Sequence, residues 1–252
     1  MSEIISPWIV LLVFFGAQLL AAYAGDFFRR KIRPLREEER ADFDVVRAAT
    51  LTLLALLIGF SAAMAVTRYD QRRNYEEAEA NAIGTQYLRA DLLPEEDAAK
   101  LRDLLSRYVE QRIAFYTARD DGQVAQIATQ TGKLQAELWS TVVRATTKGE
   151  QTAVIALAVA GMNDVLNSQG YTQAAWWNRV PIAVWGLLGL IAVSCNLLVG
   201  YGEYRQSFFT LVLSLIVSIS FFLIADIDSP RTGVIRVPPQ NLIALSQSMK
   251  AH

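Results

Sequence analysis

The chain consists of long apolar segments and one long polar block. One pair of apolar segments precedes the block and a second pair follows it. The apolar segments are residues 8–24, 46–66, 180–199 and 208–225, and the polar block is 69–173. Each apolar segment is close to the roughly 20 residues that a helix needs to cross a hydrocarbon core about 30 Å thick. The polar block has apolar residues at helical spacing and no β-type alternation. The pattern predicts an all-α integral membrane protein with four transmembrane helices and a helical extramembrane bundle between the second and the third.

The second apolar segment continues into the polar block without a break. No proline occurs between residues 46 and 93, so we expect one helix that crosses the bilayer and continues into water. Pro94 should begin the next helix, because acidic residues follow it in the first turn, where they suit the helix dipole. Gly132 is a candidate break in the helix after that.

These patterns divide the chain into four segments. They are a first transmembrane pair (1–68), a helical extramembrane domain (69–175), a second transmembrane pair (176–227) and a C-terminal tail (228–252). The tail contains Pro230, Pro238 and Pro239, and it is too rich in proline for a long helix.

Polar residues inside the spans are expected to join helices to each other. Gln18 in the first span should bond to a neighbouring helix, and the hydroxyl stripe of Thr210, Ser214 and Ser218 in the fourth span favours contacts between helices over a conduction path.

The second span carries two faces that could matter for function. Small residues recur every three or four positions on one of them, at Ala48, Thr52, Ala55, Gly59 and Ala62. The opposite face carries Thr50, Leu54, Leu57 and Ser61. Either face could line a wet path, although periodicity alone favours simple packing of both against neighbouring helices.

Composition excludes several classes of function. A net charge of −1 gives no reason to expect a nucleic-acid partner. The only histidine is His252, so neither a histidine-based catalytic site nor a histidine-rich metal site is expected. Cys195 is the only cysteine, which rules out an intrachain disulfide. No cofactor motif and no convergent set of titratable residues suggests an enzyme, and the glutamates that follow Arg72 and Arg73 are expected to form ion pairs along their own helix.

Two short motifs resemble a known family. Gly59-Phe60 precedes Val66-Thr67-Arg68-Tyr69, with Phe60 eight positions before Arg68. This pattern resembles the second transmembrane helix of the bestrophin channels. The stretch Glu-Ala-Asn-Ala-Ile-Gly at 79–84 is similar to one in bacterial bestrophin-like proteins, and the order of four spans around a helical block extends the resemblance over most of the chain.

The resemblance implies an ion channel in a bacterial inner membrane. Five copies would surround a central pore, the second helix of each would form a narrow neck, and the partners would be small inorganic ions, lipid and the other subunits. By resemblance, the neck positions are Thr52, Leu56 and Phe60. Thr52 departs from the family, which has a large apolar residue there.

The same resemblance suggests where charge could act. A ring of Arg68 and Arg72 at the pore mouth would favour anions, whereas Glu79 could neutralise it or form a ring of its own. Asp226 and Asp228 resemble the acidic segment that follows the last span in the family and contacts the tail. The residues after Pro230 depart from the family pattern, so a calcium site of the animal type is not expected here.

Orientation and an alternative function stay open at this stage. Six basic residues at 29–40 favour a cytoplasmic connector between the first two spans, but arginines that flank the polar block favour the opposite orientation. Paired spans around a helical block also fit a membrane-embedded sensor or accessory protein whose helical domain binds a ligand or partner. Such a sensor would more often be a dimer than a ring.

Overall fold

The protein was analysed as a computed structural model that describes residues 6–148, 153–202 and 208–251, and eight α-helices account for most of these residues. They are α1 (Pro7–Lys31), α2 (Arg40–Arg89), α3 (Glu95–Thr117), α4 (Asp121–Lys148), α5 (Ala153–Trp177), α6 (Ile182–Gly202), α7 (Phe208–Asp228) and α8 (Gln240–Ala251). Short 3₁₀ turns at Glu37–Glu39 and Ala90–Leu92 precede and follow α2. The all-α class is confirmed.

Among the described residues, four helical stretches are long and apolar enough to cross a membrane, as the sequence predicts. They are Pro7–Lys31, Glu37–Leu92, Ile155–Gly202 and Phe208–Asp228. The third stretch joins α5 to α6, and the span predicted from hydropathy at 180–199 falls mainly within α6.

The helix boundaries follow the local sequence with one exception. α2 runs uninterrupted for 50 residues, and α3 begins directly after Pro94 with an acidic first turn. The expected break at Gly132 is wrong, because α4 continues through it. A glycine inside a helix lowers its stability only modestly, and neighbouring turns hold it in place.

The helices form two compact units, which we call the spanning unit and the bundle unit. The spanning unit contains α1, α2 as far as Arg68, α6 and α7, and it extends to Ile235. The bundle unit contains α2 from Tyr69 onward, α3, α4 and α5, together with the chain from Arg236 that includes α8. The segment 228–252, treated as one tail in the sequence analysis, is therefore divided between the two units.

Close backbone contact joins α1 to α6 in the spanning unit. A Cβ atom at Gly200 would lie 1.9 Å from the carbonyl oxygen of Ala22, and one at Gly25 would lie 2.1 Å from that of Leu197. Only glycine permits this approach, and small residues at helix contacts are the usual device where lipid supplies no hydrophobic driving force.

A chain of buried polar groups crosses the same unit. Asn196 donates to Gln18, Gln18 donates to Ser218, and Ser214 donates to Asn196, each at 2.9 Å. These bonds join α1, α6 and α7, as predicted for Gln18, Ser214 and Ser218. Satisfied polar groups of this kind fix helix register in an apolar surrounding.

The bundle unit has a separate apolar core. Its fully buried members include Leu101, Leu105, Val109, Leu138 and Met162. The helix α8 adds Leu242 and Met249 to this core. The prolines of the tail all precede α8, so none interrupts this 12-residue helix. The sequence predicts only that the tail forms no long helix.

Candidate functional site

The three predicted neck residues lie on an uncovered face of α2. Leu56 and Phe60 are 52% and 62% exposed, and Thr52 is exposed with its hydroxyl donating to the carbonyl of Ala48 at 2.9 Å. Residues four apart stack along one face of a helix, so these side chains form a continuous stripe. A single chain leaves this stripe without packing partners in its own spanning unit.

The other candidate face of α2 is packed. Leu54 is 2% exposed and belongs to a core cluster with Leu188, Cys195 and Phe221, and Ser61 is also buried. The Cys195 thiol contacts the carbonyl oxygen of Thr50 at 3.3 Å. Leu54 and Ser61 on this face therefore serve packing inside one subunit, while Thr50 and Leu57 are partly exposed.

Arg68 lies near the end of the spanning part of α2 and faces an acidic partner. Its guanidinium Nη1 is 3.7 Å from Oδ1 of Asp228, and its side chain is 15% exposed. Asp228 also accepts the backbone N–H of Val180 through both carboxylate oxygens, at 3.1 and 3.0 Å. Asp228, in the last turn of α7, thus binds the backbone just before α6 and neutralises part of the charge of Arg68.

Asp226 holds the chain that follows α7. Its two carboxylate oxygens accept the backbone N–H groups of Val234 and Ile235 at 2.7 and 2.8 Å. Gly233 permits this turn, because a Cβ there would lie 2.3 Å from the carbonyl oxygen of Asp226. Both predicted acidic residues are buried, and their carboxylates bind backbone donors.

Arg72 does not lie at a pore mouth in this structure. Its side chain is 1% exposed, and it donates to the carbonyl oxygens of Ala175 and Asn178, each at 3.3 Å. These carbonyls lie at the C-terminal end of α5, where a cation suits both the helix dipole and the unpaired carbonyls.

Glu79 is likewise buried in the bundle unit, so its assignment to a charged pore mouth needs correction. Its carboxylate contacts both Nε and Nη2 of Arg112 on α3, and it accepts from Thr172 on α5 at 3.2 Å and from Tyr116 at 3.4 Å. A carboxylate that is fully buried and neutralised by an internal arginine has little charge to present at a pore mouth.

The sequence predicts that the glutamates of α2 pair with arginines of the same helix, but Glu76 and Glu79 bind partners on other helices. Glu76 accepts from the side-chain amide of Asn241 at 2.6 Å and from the backbone N–H of Leu242 at 3.0 Å, at the first turn of α8. Glu76 thus joins α2 to α8, as Arg72 joins it to α5 and Glu79 joins it to α3. Spacing along one helix indicated charge pairs but could not reveal that the partners lie on other helices.

Protonation states in this network are set by burial and by Glu79. Burial lowers the pKa of Arg112, but the Glu79 carboxylate, together with Tyr108 and Tyr116, more than offsets this, so the pKa lies above its ordinary value. Burial, followed by the charge of Glu79, raises the pKa of Tyr108 and that of Tyr116. The arginine therefore stays charged and both phenols stay neutral. Tyr116 donates to Glu79, whereas Tyr108 accepts from the side-chain amide of Gln135.

The sequence analysis missed Arg112. It interrupts the apolar face that Tyr108, Val109 and Phe115 form on α3, and a lone charge on such a face is a sign of a buried partner. Phe115 also stacks on it, with the guanidinium carbon 4.5 Å from the ring centre. In the described ranges, no three His, Cys, Asp or Glu side chains converge as metal ligands would.

Comparison with known proteins places this arrangement in a family. The family model described as "Bestrophin-like domain" matches residues 12–242. No curated protein sequence matches the chain.

Solved structures with similar folds include several of a bacterial bestrophin homologue from Klebsiella pneumoniae. The form phased on zinc is 16% identical, covers 96% of this chain and 94% of its own, and has a TM-score of 0.64. A variant with one aspartate replaced by alanine is 15% identical, with coverages of 96% and 97% and a TM-score of 0.66. A variant with one leucine replaced by threonine is 13% identical, with coverages of 97% and 96% and a TM-score of 0.62. At these identities the likeness concerns the fold, and the family match extends over most of the chain. The chain therefore belongs to the bestrophin-like family.

Proposed function

We propose that this protein is a homopentameric ion channel of the bacterial inner membrane, with α2 of each subunit lining a central pore. The exposed stripe of Thr52, Leu56 and Phe60 carries this proposal. In one subunit Leu54 and Ser61 on the opposite face are packed, and the stripe belongs to the side of α2 that remains for a pore or for other subunits.

The neck would act by excluding water. Rings of Leu56 and Phe60 form an apolar constriction, and such constrictions gate by dewetting rather than by charge. Thr52, one turn earlier, gives one end of the neck a hydroxyl that can contact water. The barrier would then consist of two side-chain layers, Leu56 and Phe60. They lie about 6 Å apart along the helix, because they are four residues apart.

Charge beyond the neck would come from Arg68. It lies eight residues after Phe60, about 12 Å along α2, and it keeps partial solvent contact while Arg72 and Glu79 are buried. Asp228 neutralises part of that charge. We propose a weak preference for anions on this basis, and substitution of Arg68 by Ala should shift the reversal potential toward cations in a chloride gradient.

The uncovered small residues on the same side of α2 support assembly. Ala48, Ala55 and Gly59 are exposed, and a Cβ at Gly59 would meet nothing within 4 Å. A ring of subunits would cover this surface, as packing of small residues does between membrane helices. Native mass spectrometry in mild detergent should give five chains of 28.0 kDa each, whereas a dimer would favour the sensor alternative.

The decisive experiment is ion flux in proteoliposomes. The double substitution Leu56→Ala and Phe60→Ala should raise flux with the oligomer intact, because it widens and wets the neck. As a matched control, Phe208→Ala with Leu211→Ala removes the same kinds of side chain from exposed positions on α7 and should leave flux unchanged. Unchanged flux in the neck variant, or an equal rise in the control, would show that this stripe is not the barrier.

A further inference from the structure

A basic cavity lies where α1 ends and α2 begins, close to the end of α6. It has a volume of about 300 Å³, at the lower limit for sites that hold small molecules. Its described lining consists of Arg29, Arg30, Pro34, Leu35, Arg36, Glu37, Arg40 and Gly202. Four arginines thus face one carboxylate in this lining, entirely within the spanning unit.

The cavity is held in shape by contacts between the surrounding elements. The Tyr201 hydroxyl donates to the carbonyl of Arg33 at 2.8 Å, and the rings of Phe43 and Tyr201 lie 5.5 Å apart. A Cβ at Gly202 would lie 2.6 Å from the ring of Phe43, so α6 approaches the start of α2 closely. The connector between the first two spans is therefore fixed against α6.

Part of the positive charge is not neutralised. Arg29 and Arg30 both bind Asp26, at 2.6 and 2.9 Å. Arg36 and Arg40 are exposed and make no ion pair with any carboxylate in the part of the chain that the structure describes. Among its described lining residues, the cavity therefore keeps a net positive charge beside Glu37.

The location identifies the ligand class. Basic residues occupy the last turn of α1, directly after an apolar span, and α2 begins its own span a few residues further on. We therefore expect the cavity to lie at the level of lipid headgroups. Phe27, Phe28 and Ile32, which are close in sequence to the arginines at the end of α1, are about half exposed. Basic pockets between membrane helices bind anionic headgroups, and guanidinium groups bind phosphate through paired hydrogen bonds.

We propose that this cavity binds the phosphate headgroup of an anionic phospholipid, with Arg36 and Arg40 as its main contacts and the acyl chains along the exposed apolar side chains. The interaction fixes the connector at the membrane surface. Its test is independent of conduction, because lipid binding can be measured without ion flux.

Native mass spectrometry of the full-length protein in an uncharged detergent tests the proposal. Phosphatidylglycerol should bind in preference to phosphatidylcholine with the same acyl chains. The change Arg36→Ala with Arg40→Ala should weaken phosphatidylglycerol binding about 25-fold, since each arginine near an anionic surface contributes about fivefold. The matched pair Arg73→Ala with Arg119→Ala removes two exposed arginines of the bundle unit and should leave binding unchanged.

Three results would overturn the proposal. The first is unchanged binding in the pocket variant at an unchanged oligomeric state and helix content. The second is an equal loss in the Arg73 and Arg119 variant, which would indicate attraction to the whole surface. The third is displacement of phosphatidylglycerol by inorganic phosphate at equal concentration, which would identify a free-anion site.

Discussion

At the scale of single residues, the buried ion pair of Glu79 and Arg112 should dominate the stability of the bundle unit. The substitution Glu79→Gln leaves the Arg112 charge buried without its counter-ion, which costs about 3–5 kcal/mol in such pairs. The fully buried positions of both side chains leave no solvent to compensate. Thermal unfolding of the detergent-solubilised protein should show a clear loss of stability.

The control for this prediction is an exposed ion pair within α3, the helix that carries Arg112. Asp103 and Arg107 lie 3.7 Å apart with more than half of each side chain exposed, so Asp103→Asn should change stability by less than about 1 kcal/mol. Equal effects of the two substitutions would mean that the Glu79 network contributes no more than a surface pair.

At the scale of elements, the contact between α1 and α6 depends on glycine. Gly200→Ala would place a methyl group against the Ala22 carbonyl, so the helices must separate, and overpacking of this kind typically costs about 1–3 kcal/mol. Gly186→Ala, in the same helix and facing open space, should not destabilise the protein. Melting temperatures of the two variants compare the effects, and a similar result for both would contradict close packing at Gly200.

Periodicity and proline positions were sufficient to predict most elements. The four spans, the unbroken α2 and the start of α3 follow from apolar run length and from Pro94. Charge pairing was not predictable in the same way, because Glu79 and Arg112 are 33 residues apart and meet only after α2 and α3 pack. The exposed stripe on α2 needed the structure as well, since helical periodicity gives two faces and does not say which one is covered.

At the scale of the whole molecule, topology can be tested through the bundle unit. Gln123 lies in the first turn of α4 and Gln240 is the first residue of α8, and both are exposed residues of this unit. Single cysteines at these positions, in a Cys195→Ala background, should be labelled from the same side of the membrane by an impermeant reagent. Opposite accessibility would mean that the number of spans between them is odd.

Both oxygens of Asp226 bind backbone N–H groups of the tail, and this has a consequence for cell signalling. A divalent ion at this carboxylate would compete with both N–H groups for the same two oxygens, so we expect the carboxylate to keep its N–H partners and to anchor the tail through them. We expect flux in proteoliposomes to be the same within about twofold in millimolar calcium and in excess chelator, a range that corresponds to less than about 0.5 kcal/mol. A steep dependence on calcium that disappears in Asp226→Asn would contradict this. Flux that is independent of calcium would mean that Asp226 anchors the tail through the N–H groups of Val234 and Ile235 alone.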